Sequence, residues 1–173
     1  MKPSMCVWLI VVVVFFSRAL HEARADTLLF AGAEIQLPDT GWDMRTGKMA
    51  TLTNKDKRLL VEVYRFSQVP PADVAHLLKI LKPRKNTTEV TVAKAEKFDQ
   101  HGVAGTIADG TAKIGATPVA FSLTSVPVAG HAVVAVAFTP LGDKEKHRKE
   151  LDGILKSLRS AANRANRAEL ESS

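Results

Sequence analysis

The sequence predicts an α+β fold, an antiparallel β-sheet with helices packed on its faces, and three observations carry that reading. The first is the run from His131 to Thr139, bounded by Gly130 and Pro140, which is too short to span a bilayer. At two-residue alternation Ala132, Val134, Val136 and Phe138 share one face, while Val133, Ala135, Ala137 and Thr139 share the other. Neither face is polar, so this strand needs cover on both sides. The second is a pair of helical apolar stripes, one before the run (Val74, Leu77, Leu78, Leu81) and one after it (Leu151 to Ala165). The third is a succession of strands from Val103 to Thr139 joined by short turns, which reads as a meander.

The N-terminus stands apart from the fold. Lys2 precedes an apolar block from Met5 to Phe16, and Ala23-Arg24-Ala25 fits the small-x-small rule for signal cleavage. The block is shorter than the roughly 20 apolar residues a spanning helix needs. Residues 1–25 are therefore expected to be a signal peptide, with a mature start at Asp26 and a second candidate start at Leu20, after Ser17-Arg18-Ala19. Cys6, the only cysteine, opens the apolar block and leaves with it, so the mature chain has no disulfide or thiolate. A single domain over 26–162 and a fraying tail over 163–173 are expected, with no transmembrane segment after cleavage. The predicted localisation is export, periplasmic or extracellular.

Along the mature chain, Leu28-Leu29-Phe30 and Glu34-Ile35-Gln36-Leu37 read as short strands around Ala31-Gly32-Ala33. Pro38-Asp39-Thr40-Gly41 is a turn cluster, followed at once by Trp42. Met49 to Thr53 and Leu59 to Phe66 form a hairpin around Asn54-Lys55-Asp56-Lys57; the second strand is apolar on both faces and belongs inside the sheet. Pro71 suits the first turn of the helix that carries Val74 to Leu81, and Lys82-Pro83 ends it. Thr88 to Phe98 is a weaker strand, with Val90 and Val92 on one face and charges later. Val103 to Ile114 is rich in Gly and Ala, which admits close approach of another element. Val119, Phe121 and Leu123 alternate in the next strand. Asp143 is the expected N-cap of the last helix, whose outer side carries Lys149, Asp152, Gly153, Lys156 and Arg159.

Ile35-Gln36-Leu37-Pro38-x-x-Gly41-Trp42, the glycines Gly102, Gly105 and Gly110, and the closing Ile154-Leu155-x-Ser157-Leu158 together resemble the Mog1/PsbP/DcrB-like superfamily over about residues 30 to 160. The resemblance implies a PsbP-like antiparallel sheet with helices on both faces, an α/β/α sandwich. It also implies a mostly non-enzymatic role, as an accessory subunit, a GTPase-binding protein or an exported bacterial protein. It brings no catalytic motif, and the calcium or manganese sites of some photosynthetic members are matched by no spaced carboxylate–histidine set in this chain.

No Gly-x-Ser-x-Gly elbow, phosphate-binding glycine loop, His-Glu-x-x-His or EF-hand pattern occurs in the sequence. His76, His101, His131 and His147 are scattered and read as surface or edge residues; no metal or cofactor is expected. Asp109-Gly110 reads as a bulge or a tight packing point before it reads as a reactive carboxylate, and Glu62 and Asp109 are a pair that could meet across a sheet face.

The chain carries 24 basic and 18 acidic residues, and removal of residues 1–25 leaves 21 and 17, a modest excess of +4. That balance permits an anionic partner without requiring one. Aromatic residues make up 6% of the chain, too few for a nucleic-acid stacking platform. Lys79, Lys82, Arg84 and Lys85 cluster at the end of the first helix, with Ile80 off the apolar stripe beside them. Helix-dipole compensation is the local reading of this cluster; the functional one is contact with an acidic protein or an anionic envelope surface. Trp42 reads either as an exposed aromatic anchor or as a lid closing one end of the core. The sequence thus points to an exported non-enzymatic binding or accessory protein. The alternative is an exported hydrolase whose site is assembled from residues far apart in sequence.

Overall fold

The computed structural model describes residues 26–38, 41–68, 81, 86–100 and 103–161. A seven-stranded antiparallel sheet dominates them. Its strands are β3 (Asp43–Thr46), β4 (Ala50–Asn54), β5 (Leu59–Phe66), β6 (Thr87–Gln100), β7 (Val103–Ile114), β8 (Thr117–Val128) and β9 (His131–Pro140), in the spatial order β3-β4-β5-β9-β8-β7-β6. The meander β6-β7-β8-β9 follows the chain, and β5 closes the other side of β9. The predicted antiparallel α+β architecture is the observed one.

β9 lies between β5 and β8, and every residue from Ala132 to Thr139 is buried. Its two faces differ in size. Val133, Ala135 and Ala137 form the smaller face and line up with Val63 and Val61 of β5. Small side chains let a helix lie close, and α1 (Lys144–Lys156) fills that space with Leu151, Ile154 and Leu155. Val134, Val136 and Phe138 form the bulkier face and join Phe121, Leu123, Ala108 and Leu81 in a second cluster. There the rings of Phe121 and Phe138 meet at a tilt of 55° with centroids 6.5 Å apart. Leu81 is helical and 2% exposed; the rest of the predicted first helix lies outside the described residues.

A second, three-stranded sheet is built from β1 (Thr27–Phe30), β2 (Ala33–Gln36) and β10 (Arg159–Ser160), with β2 in the middle. β10 corrects the expectation of a helix running on toward Ala165. The chain leaves α1 at Lys156, and Ser157 Oγ donates to Ile154 O at 2.6 Å while accepting the Gln36 N–H at 2.8 Å. Those two bonds turn the chain onto β2, where Arg159 lies opposite Glu34 and Ser160 opposite Ala33. The start of α1 also differs from expectation. Asp143 is the N-cap residue but makes no side-chain capping bond, because its carboxylate accepts from Arg58 Nη2 at 2.7 Å instead.

β7 tolerates its glycines because two neighbouring strands press on them. A Cβ at Gly110 would lie 2.1 Å from the Thr91 carbonyl and 2.5 Å from the Phe121 ring. At Gly105 it would lie 2.1 Å from the Ser125 carbonyl and 2.7 Å from the Phe98 ring. Each phenylalanine sits opposite its glycine in the strand register and covers the bare backbone. The tight-packing reading of Asp109-Gly110 is the one the backbone adopts.

Candidate functional site

Of the residues singled out for binding, Lys79, Ile80, Lys82, Arg84 and Lys85 lie outside the described residues. Leu81, in their midst, is described, and its side chain is buried in the second core cluster. Trp42 is 7% exposed and packs in the first cluster together with Leu37 and Leu52. That burial fits the lid reading and removes Trp42 as an exposed anchor.

The two carboxylates that could have met do not. Glu62 lies opposite Val136 and faces the Leu81 side of the sheet; Asp109 lies opposite Ser122, which lies opposite Ala137, and faces the α1 side. Glu62 accepts a short hydrogen bond from the Tyr64 hydroxyl, and Asp109 accepts one from Ser122 Oγ at 2.5 Å. Each is engaged by a neighbour on its own face.

His147 corrects the surface reading of the histidines, being 5% exposed. It sits one turn before Leu151 on the sheet-facing stripe of α1, a spacing that was legible in the sequence. Its Nδ1 is 3.8 Å from Glu150, whose other carboxylate oxygen accepts from Lys57 Nζ at 2.9 Å. Asn54 Oδ1 accepts the Lys57 N–H at 3.1 Å and shapes the β4–β5 turn that presents Lys57. Together with Arg58–Asp143 these bonds clasp that turn to the start of α1. His131 clasps two other turns: its Nε2 lies 2.7 Å from Ala31 O and its Nδ1 3.2 Å from Ala129 O.

The third polar centre joins the chain ends of the domain. Glu34, 1% exposed, accepts from both Arg159 Nε and Arg159 Nη2 on one oxygen, Oε1. Gln36 and Ser157 lie beside it. Two of the short motifs that carried the family resemblance, Ile35-Gln36-Leu37 and Ile154-Leu155-x-Ser157, therefore meet in space through one side-chain bond. Among the described residues no three His, Cys, Asp or Glu side chains gather as a metal site, and no helix is long and apolar enough to cross a membrane.

No protein-family model matches the sequence, and no curated protein is similar to it in sequence. Solved structures are similar in fold. The cyanobacterial PsbP (CyanoP) of Synechocystis sp. PCC 6803 superposes with a TM-score of 0.60 at 12% identity, over 82% of this chain and 95% of that one. The Ran-binding protein Mog1p of Saccharomyces cerevisiae superposes with a TM-score of 0.53 at 12% identity, over 81% and 97%. The chain has a Mog1/PsbP-like fold. At this identity the likeness is one of architecture alone.

Proposed function

We propose that this protein is an exported, non-enzymatic binding or accessory module whose basic segment around Leu81 engages an anionic surface. The observation that carries the reading is the setting of Leu81. Lys79, Lys82, Arg84 and Lys85 fall within seven residues, and the leucine among them is anchored in the second core cluster. The segment is thus tied to the domain at its middle. The described polar centres support the same reading. The Lys57–Glu150–His147 clasp, the Arg58–Asp143 pair and the Glu34–Arg159 pair each join one structural element to another. One fold relative is by its own description a Ran-binding protein, a precedent for this architecture as a protein-binding module. Export rests on Lys2, the apolar block and Ala23-Arg24-Ala25.

Exposed cations contribute little pairwise energy, so the segment supplies steering and weak affinity. The test compares wild type with Lys82→Glu/Lys85→Glu for retention on anionic vesicles, on neutral vesicles and on an acidic polypeptide. Weaker capture by one anionic probe, with an unchanged melting temperature and loss of the difference at about 1 M salt, is the expected result. Capture that survives both the reversal and high salt would leave the segment as a solvated helix end.

A further inference from the structure

We propose that the outer half of β6, from Glu96 to Gln100, is a self-complementary strand edge through which two copies of this chain associate weakly. Among the described residues β6 has one strand neighbour, β7, and so ends the sheet. A strand at a sheet edge presents backbone N–H and C=O groups outward, ready to pair with another strand. The two halves of β6 treat that edge differently. Between Thr88 and Lys94 the register with β7 shifts twice, and Glu89 has a φ of 51°, which bends the edge out of line. From Lys94 to Gln100 the register is unbroken, so this half is straight enough to receive a partner.

The side chains on the straight half choose the partner. Two copies pairing antiparallel across a twofold axis normal to the sheet place residues of one face opposite residues of the same face. With Phe98 on the axis, each Lys97 comes opposite the other copy's Asp99, and Phe98 meets its own counterpart. Lys97 and Asp99 are exposed and Phe98 is half-buried, so part of its surface stays accessible to a partner. Registers centred on Glu96 or Lys97 would set like charges directly opposite each other. A register centred on Ala95 would draw the bulge at Val92–Lys94 into the pairing. Only the Phe98 register joins unlike charges, an aromatic pair and an unbroken ladder.

The contact spans few residues, so it lies at the small, transient end of interfaces and the dimer is concentration-dependent, with a Kd of about 0.1–1 mM. Sedimentation velocity of the purified protein, in the processed form recovered from cells, is run from low micromolar to about 1 mM. Lys97→Asp places two aspartates opposite each other and Asp99→Lys places two lysines opposite each other; each single change is expected to weaken association about ten-fold. The double change Lys97→Asp/Asp99→Lys restores opposite charges and is expected to restore association, with all three variants melting like the wild type. A protein that stays monomeric over the whole range would overturn the proposal. So would association that both single changes leave intact, which would place the contact on another surface, or a double change that stays as weak as the singles.

Discussion

β9 and β6 lie in one sheet, with β8 and β7 between them, and solve opposite problems. β9 is paired on both sides and covered on both faces, so each residue from Ala132 to Thr139 is fixed by burial. β6 is paired on one side among the described residues and shows half-buried Val90, Val92, Ala95 and Phe98 between exposed polar side chains. Where β9 gains from two layers of apolar cover, β6 is held by its ladder with β7 and by two local devices. One is the closeness of Thr91 to Gly110; the other is the Phe98 ring laid over Gly105. The comparison teaches where this domain keeps its stability and where it keeps freedom for a partner: the middle of the sheet is overdetermined and the outer strand is adjustable.

The largest expected effect comes from breaking the middle. Val136 is 1% exposed in the second cluster. Val136→Asp places a carboxylate there without a prepared partner, which must take up a proton or open the domain. Circular dichroism should find no cooperative melt for that variant; a normal melt would mean that the bulkier face of β9 is not core. Next in size is Gly110→Ala, since the new methyl would meet the Thr91 carbonyl and neither strand can yield without losing register. The expected loss is about 2–4 kcal/mol by chemical denaturation. Gly153→Ala is the paired control: nothing lies within 4 Å of a Cβ there, and removing a helix-interior glycine should stabilise by up to about 1 kcal/mol. If both glycine changes cost the same, close packing does not explain Gly110.

Arg159→Ala tests the join between β10 and β2 in the three-stranded sheet. It removes the guanidinium from the buried Glu34 carboxylate, although Arg159 is itself 38% exposed and partly screened. The cost should be about 2 kcal/mol, below that of breaking a fully buried pair. The smallest effect belongs to the β6 surface. Lys94→Ala removes an exposed pair with Glu96, and the denaturation midpoint should move by no more than about 0.5 kcal/mol in equivalent stability.

These differences track what could be read from the residues. β9 was legible because alternation and length speak together when both faces are apolar. The partner strand β5 was legible for the same reason, and the meander through the short turns that join its strands. β3 was not: Asp43 to Thr46 is exposed throughout, so no periodicity marks it, and only its pairing with β4 makes it a strand. β10 was hidden by the apolar stripe of α1, which continues to Ala165 in sequence; a hydroxyl at Ser157 and a guanidinium at Arg159, both bonded to β2, end the helix earlier. The polar centres were illegible because their partners lie far apart in the chain. His147 was the exception, since its spacing from Leu151 already set it on the buried stripe. The basic segment around Leu81 rests on sequence density together with that one buried leucine.

Native-state hydrogen exchange, read residue by residue at micromolar concentration, tests the contrast between the strands most directly. The amides of Val133 to Ala137 should exchange only through global unfolding, with protection equal to the full stability of the domain. Those of Lys94 to Asp99 should open locally and lose protection well before the rest. Equal protection along β6 and β9 would contradict the account, because it would mean that the outer strand is as firmly held as the centre.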